Sequence, residues 1–306
     1  MTTTSTDAIA FPLSFMTPLA PKLVRIIGGL ALAVALAGCS AVKLGYNNLP
    51  DLAWWWLDGY MDFSDAQRTP VKDELTRLHQ WHRSTELPRY AGLLARVEQM
   101  AAADTTPEQV CRLADEGRIR FLALAAQSEG AIAAIAPLLA PEQLRHLAQR
   151  YESNAKDFRK EWVDVPLAER RERHYKQFLQ RLEDTYGRLD DAQRAVLRQR
   201  IEASRFEPSQ VLSEMRRRQA DTLQTLRQLR AGVPPQEARL QVKALVDRGQ
   251  SPPDAAALRY REAVTEDNCA LVAAVHNATT PAQRQSAARR LRAYQRDLAD
   301  LMAAAR

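Results

Sequence analysis

Three side chains that can bind a metal ion or transfer a proton fall at helical spacing in the first third of the chain. His79, His82 and Glu86 stand at positions i, i+3 and i+7, so a helix would place them on one face. Imidazole and carboxylate groups are zinc ligands as well as general acids and bases. The His-Glu-x-x-His pattern of zinc hydrolases is missing from the sequence, and we expect neither a metal nor a cofactor.

The same residues can instead form a structural polar network. Trp81 and Pro88 favour a packed turn here, and we expect His82 or Glu86 to pair with Arg83 or Arg89, which would neutralise the carboxylate. With the upstream carboxylate of Asp58, the candidate network comprises Asp58, His82, Glu86 and Arg89. A hydrolase-like or metal-dependent enzyme using this region is the alternative. Because Gly-rich phosphate loops, nucleophile elbows and Cys-x-x-Cys pairs are missing from the sequence, we predict no catalytic residues and no enzyme activity.

Cys39 is the residue whose chemistry the sequence indicates most directly. Lys22 and Arg25 precede an uncharged apolar run at 26–37, which has signal-peptide length and is too short for an ordinary membrane span. The run ends in Leu36-Ala37-Gly38-Cys39, which resembles the lipobox of bacterial lipoprotein precursors. The resemblance implies that processing removes residues 1–38 and acylates Cys39.

The resemblance also implies a destination. Ser rather than Asp at position 40 favours the outer membrane, with the protein on its periplasmic face, over retention in the inner membrane. Several acyl chains hold a protein stably where a single chain does not. Met16 lies at a normal distance before the basic residues and is the better candidate for the true start. The expected partners are the membrane, the lipoprotein processing and sorting machinery, and an envelope protein of unknown identity.

An aromatic run follows closely behind the lipidation site. Trp54, Trp55, Trp56 and Tyr60 lie in one short segment, and Trp and Tyr favour the headgroup region of a membrane. Contact with the membrane surface or with a partner is one interpretation. Core packing is the other, because three consecutive tryptophans cover most faces of a helix.

Cys111 and Cys269 are the two remaining cysteines. In an oxidising compartment such an even pair can form a disulfide. Two separate buried thiols that behave as small apolar side chains are the alternative.

The composition and the helix-start motifs predict an all-α fold. Gly is scarce, and Ala, Leu, Arg, Gln and Glu, which enter helices at low cost, dominate. A capping residue followed three positions later by Gln recurs at irregular intervals, and each occurrence predicts a helix start rather than a ligand site or a repeat unit. The motifs end in Gln67, Gln109, Gln143, Gln193 and Gln283.

Apolar residues at 3-4 spacing follow these starts, and Pro and Gly predict breaks between them. Breaks are expected at Pro166, Gly187, Pro208, 232–235 and 249–253. We therefore predict roughly nine or ten helices in an elongated bundle of antiparallel neighbours. The expected organisation is a signal peptide at 1–38, a lipidated tether at 39–45 and a single helical domain at 46–306.

Three segments resemble an uncharacterised family of Gram-negative lipoproteins, domain of unknown function 6279. They are 46–49 with 54–60, 81–83 with 86–90, and 187–190 with Gln193, which is echoed near the C-terminus by 280–283 and 291–298. The resemblance extends over essentially the whole mature chain. It implies a helical, lipid-anchored envelope protein and brings no activity, cofactor or catalytic residue.

The expected function is binding or scaffolding of envelope components by a membrane-anchored protein. The chain carries a net charge of +6, but acids alternate with its arginines, as at 169–173, and this pattern is typical of solvated helix faces rather than of a nucleic-acid surface. The basic run at 216–218 can be partnered by Glu214 and Asp221. A carrier with an apolar pocket inside the bundle is a further alternative.

Overall fold

A computed structural model describes residues 41–304, which form helices and no β-strand, as predicted. The α-helices are α1 (Ala41–Asn47), α2 (Leu49–Met61), α3 (Asp65–Trp81), α4 (Leu87–Met100), α5 (Pro107–Ile135), α6 (Pro141–Phe158), α7 (Leu167–Tyr186), α8 (Asp191–Glu202), α9 (Pro208–Arg230), α10 (Pro235–Gln250), α11 (Ala255–Asn277) and α12 (Pro281–Ala303). These are more helices than expected, but the breaks fall close to the predicted Pro and Gly positions. The signal segment and Cys39 lie outside the described residues.

The glutamines of the predicted helix starts cap their own helices. Each accepts a hydrogen bond, at 2.8–3.0 Å, from the backbone N–H of the residue that precedes its helix. Thr106, Asp190 and Thr280 complete the reciprocal box by accepting from the glutamine N–H. The sequence motif therefore satisfies backbone groups that a helix N-terminus leaves open.

Four of these glutamines also join helices that are distant in sequence. The side-chain amides of Gln67 and Gln143 donate to each other at 3.0 and 2.8 Å, and those of Gln193 and Gln283 do so at 2.7 and 3.0 Å. Each amide also donates to a backbone carbonyl of the other helix start or its preceding loop. The helix starts thus meet in two pairs, α3 with α6 and α8 with α12.

The buried apolar side chains form three clusters. The first lies among α5, α6, α9 and α10, the second among α7, α8 and α11, and the third between α6 and α9. Several helices pack on partners far away in the chain, notably α4 on α12, and α5 on both α10 and α11. The helices therefore share several local cores, as neighbouring helices of the predicted bundle would.

Helix α5 has an apolar composition, although little of it is buried. By length and composition alone the segment Pro107–Leu138 could cross a membrane, with a mean hydropathy of 1.4 in its most apolar stretch. It packs instead along α10 and α11, and a disulfide between Cys111 and Cys269 ties it to α11 with the Cα atoms 5.4 Å apart. Of the two alternatives for these cysteines, the structure has the disulfide. These contacts make α5 a helix of the bundle.

The expected turn between Trp81 and Pro88 is a π-helical segment, His82–Glu86, that joins α3 directly to α4. The backbone N–H of Leu87 bonds to the carbonyl of His82. Pro88 has no N–H and cannot continue an α-helical ladder, so the wider turn accommodates it. The structure therefore has a continuous helical connection here, where the sequence predicted a turn.

The segment expected to be a tether is helical from Ala41 onward. Lys43 on α1 pairs with Asp300 at 2.8 Å and Asp297 at 3.7 Å, both on α12. Asn48 separates α1 from α2, and its side chain donates to the carbonyl of Leu44. The first described residues are therefore attached to the body of the protein.

Candidate functional site

Glu86 is the most deeply buried acid of the predicted network. It is fully buried on the π-helical segment, where Arg89 donates to its Oε1 at 2.8 Å. Arg120 of α5 lies 3.5 Å from Oε2, which accepts no hydrogen bond from the residues described. Two guanidinium groups thus balance one carboxylate whose charge would otherwise be costly to bury. The predicted pairing of Glu86 with Arg89 is present, and Arg120 joins it.

His79, His82 and Arg83 face helix α1 rather than Glu86. The hydroxyl of Tyr46 hydrogen-bonds to Nδ1 of His82 at 2.9 Å, and its ring lies 4.7 Å from that of His79. Arg83 donates to Asn47 at 2.6 Å. Burial lowers the pKa of both histidines and raises the pKa of Tyr46 to about 12. Tyr46 and the two histidines are therefore neutral near pH 7. Together with the Arg83–Asn47 contact, they hold α1 against the π-helical segment.

Asp58 takes no part in this network. Its Oδ1 accepts from the backbone N–H of Phe63 at 3.1 Å, which stabilises the left-handed turn at Asp62 that ends α2. Between residues 41 and 304 no contact joins Asp58 to His82, Glu86 or Arg89, and no cluster of three metal-ligating side chains occurs. The four residues predicted as one network therefore separate into a helix cap and two local pairings.

The three consecutive tryptophans have different environments. Trp54 is buried, stacks on Phe63 at 5.5 Å, and has Arg68 and Lys72 over its ring. Trp55 and Trp56 are 64% and 46% exposed. Core packing therefore holds for Trp54, whereas Trp55 and Trp56 face solvent, and their contact with a membrane or a partner stays a prediction.

The exposed tryptophans belong to a larger apolar surface. Leu44 on α1 and Leu49 and Leu52 on α2 are also exposed, each by more than two-fifths. Leu49, Leu52 and Trp56 follow i, i+3, i+7 spacing and so share a face of α2, with Trp55 beside them. We name Leu44, Leu49, Leu52, Trp55 and Trp56 the N-terminal stripe. Its tryptophan end rests on Tyr60, whose ring lies 4.8 Å from that of Trp56 and whose hydroxyl accepts from Asn154.

Two small cavities are lined in large part by arginine. One, of about 290 Å³, lies between α4 and α5 beside Arg89, Arg96 and Arg120. The other, of about 280 Å³, lies where α7 begins and α8 gives way to α9. Pockets for drug-sized ligands typically measure 300–1,000 Å³ and are mainly apolar. These two cavities are smaller than that range, and each has three arginines in its lining.

The basic run at 216–218 is partnered on the surface. Arg217 pairs with Glu214 and Asp221, Arg218 with Glu214, and Arg216 with Glu152. This is the ordinary charged helix face that the neighbouring acids suggest.

Sequence reasoning missed the roles of Tyr46 and Arg120. Arg120 gave no signal, since it lies in an unremarkable part of a long helix. Tyr46 and Asn47 do belong to the first family-like segment, and in the structure they contact His82 and Arg83 of the second. Two segments singled out for resemblance thus form one interface.

Comparison with known proteins identifies the family. No curated protein and no solved structure is significantly similar to the chain. The model of a family of unknown function, DUF6279, matches residues 59–248, which is more than half of the chain. The protein therefore belongs to the DUF6279 family.

Proposed function

We propose that this protein is a lipid-anchored, non-enzymatic envelope protein whose helical body lies on the periplasmic face of the outer membrane and binds or scaffolds other envelope components. The N-terminal stripe is the observation that carries the proposal. It begins on α1, whose described part begins two residues after Cys39, so acyl chains on Cys39 would bring the stripe to the lipid surface.

The composition of the stripe suits a membrane interface. Leucine and tryptophan side chains are favoured where acyl chains meet headgroups. Lys72 lies beside the stripe, over the ring of Trp54 and 2.9 Å from Asp51. A monomer rarely exposes so many large apolar side chains side by side without a partner surface.

The attachment of α1 to the body would give the anchored protein a fixed orientation. Lys43 connects α1 to α12, and Tyr46 and Asn47 connect it to the π-helical segment. A lipid on Cys39 would then hold the whole bundle, since no long linker separates it from α1. A fixed orientation serves a protein that presents a surface to other envelope components.

The enzyme alternative has weaker support. Asp58, which it needs beside His82 and Glu86, is occupied as a helix cap, and Glu86 is buried between two arginines. The carrier alternative needs a larger apolar cavity than those described above. Neither alternative explains why leucines and tryptophans are exposed next to the anchor.

Vesicle binding tests the proposal. We expect residues 39–306 with Cys39→Ser, which lack both the apolar run at 26–37 and the lipid, to bind vesicles of phosphatidylethanolamine and phosphatidylglycerol weakly. Replacing Trp55 and Trp56 together by Ser should lower the partition coefficient at least tenfold, because each large side chain contributes roughly 1 kcal/mol or more when it leaves water. Cosedimentation with vesicles measures the effect.

Leu240→Ser is the matched control. Leu240 on α10 is 61% exposed, as much as Trp55, but lies outside the stripe. We expect this variant to partition like the parent chain. If the double tryptophan variant did so too, the stripe would not be a membrane surface.

A further inference from the structure

The cavity between the start of α7 and the α8–α9 connection is built around a histidine. Leu167, Arg170, Arg171 and His174 of α7 form one side, and Ile201 with residues 204–208 forms the other. Its volume is about 280 Å³. None of these residues takes part in the N-terminal stripe, and the inference is independent of the proposed function.

His174 is an unpartnered polar group in the wall of this cavity. Its side chain is only 9% exposed, and it forms no hydrogen bond with any residue described. The ring is held between Phe178 at 5.1 Å and Phe206 at 4.6 Å, measured between centroids. Burial lowers the pKa of His174 to about 4, so near pH 7 the neutral ring offers one donor and one acceptor. Buried polar groups nearly always have a partner, and this one is open to a ligand.

The arginines around the cavity differ in how far their charge is neutralised. Arg205 makes a bidentate contact with Asp267, with Nη2 at 2.7 Å, and Arg170 pairs with Glu207 at 3.2 Å. Arg171 is exposed and donates only to the backbone carbonyl of Glu202, at 3.4 Å, and it has no acidic partner among the residues that the structure describes. Arg171 therefore provides the positive charge available to a ligand in the cavity.

We propose that this cavity binds the carboxylate of a small organic acid with a short apolar chain. The Arg171 guanidinium would pair with the carboxylate. Such pairs commonly form two parallel hydrogen bonds. His174 would donate to the same group, and Leu167, Ile201 and Phe206 would cover the apolar chain. The volume suits an acid of about six carbons, below the size of the drug-like ligands found in larger pockets.

Binding of sodium hexanoate to the Cys39→Ser full chain tests this assignment. The imidazole proton signal of His174 in NMR spectra, identified by its loss in His174→Phe, should shift saturably at roughly millimolar hexanoate. Arg171→Gln should weaken binding about tenfold, as expected for loss of a charge-assisted hydrogen bond. Hexanol, which has the chain without the carboxylate, should bind at least tenfold more weakly than hexanoate.

Arg200→Gln is the charge-matched control. Arg200 neighbours Ile201 on α8 but does not line the cavity, and its variant should bind hexanoate within twofold of the parent. The assignment would be overturned by an unchanged His174 signal, by equal binding of hexanol, by an effect of Arg200→Gln as large as that of Arg171→Gln, or by equal action of inorganic phosphate.

Discussion

Reduction of the Cys111–Cys269 disulfide should lower the free energy of unfolding by about 5 kcal/mol. The two cysteines are 158 residues apart, and a cross-link that closes so long a loop removes much of the entropy of the unfolded chain. Small and medium domains are stable by only about 5–15 kcal/mol, so the loss is a large part of the total. The bond also fastens α5, which has a single buried residue of its own, Ala133, to α11.

Urea unfolding of the oxidised and the reduced chain, followed by circular dichroism, measures this effect. Comparison of the same sequence in two redox states separates the cross-link from packing, because Cys269 is buried and its replacement would also leave a cavity. The double variant Cys111→Ala with Cys269→Ala should resemble the reduced chain and no longer respond to reductant. Equal unfolding midpoints with and without reductant would show that the bond does not stabilise the fold.

The second large effect should come from the paired glutamines. Gln193→Leu should cost about 3 kcal/mol, because leucine matches the volume but leaves several partly buried polar groups without partners, each worth about 1 kcal/mol. The orphaned groups would be the N–H of Asp190, the carbonyl of Ala278 and the amide of Gln283. Equilibrium urea unfolding at pH 7 measures the change.

Gln109→Leu is the control for capping alone. Gln109 caps the start of α5 as the other glutamines cap their helices but pairs with no second glutamine, so its replacement should cost about 1 kcal/mol. Gln67→Leu, in the other pair, should behave like Gln193→Leu. Similar small losses for all three variants would mean that the glutamine pairs contribute nothing beyond the caps.

The helix starts could be predicted from sequence, whereas their pairing could not. A capping box is local, with its two partners three residues apart, and every predicted start is present. The glutamine pairs join residues 76 and 90 positions apart, and nothing in a single sequence specifies which helix starts meet. The irregular intervals between the motifs gave no indication of two pairs.

The polar network shows the same limit. Glu86 and Arg89 are one helical turn apart, so their contact follows from spacing, whereas Arg120 comes from another helix. The prediction that Asp58 belongs to the network was wrong. The backbone turns after α2, and the Asp58 carboxylate accepts a hydrogen bond from the N–H of Phe63 instead. The position of a neighbouring helix, rather than spacing, also decides that Trp54 is buried and Trp55 is not.

The central claim is that the N-terminal stripe lies in the membrane interface of the anchored protein, and tryptophan quenching tests it most directly. The wild-type lipoprotein would be reconstituted into vesicles whose lipids carry bromine on the acyl chains near the headgroup. Its emission should be quenched, and most of the quenching should disappear when Trp55 and Trp56 are replaced by Phe, since Trp54 and Trp162 are buried in the protein and Trp81 is half-buried on α3, outside the stripe. Equal quenching of the wild type and the double variant, or none in the wild type, would contradict the claim.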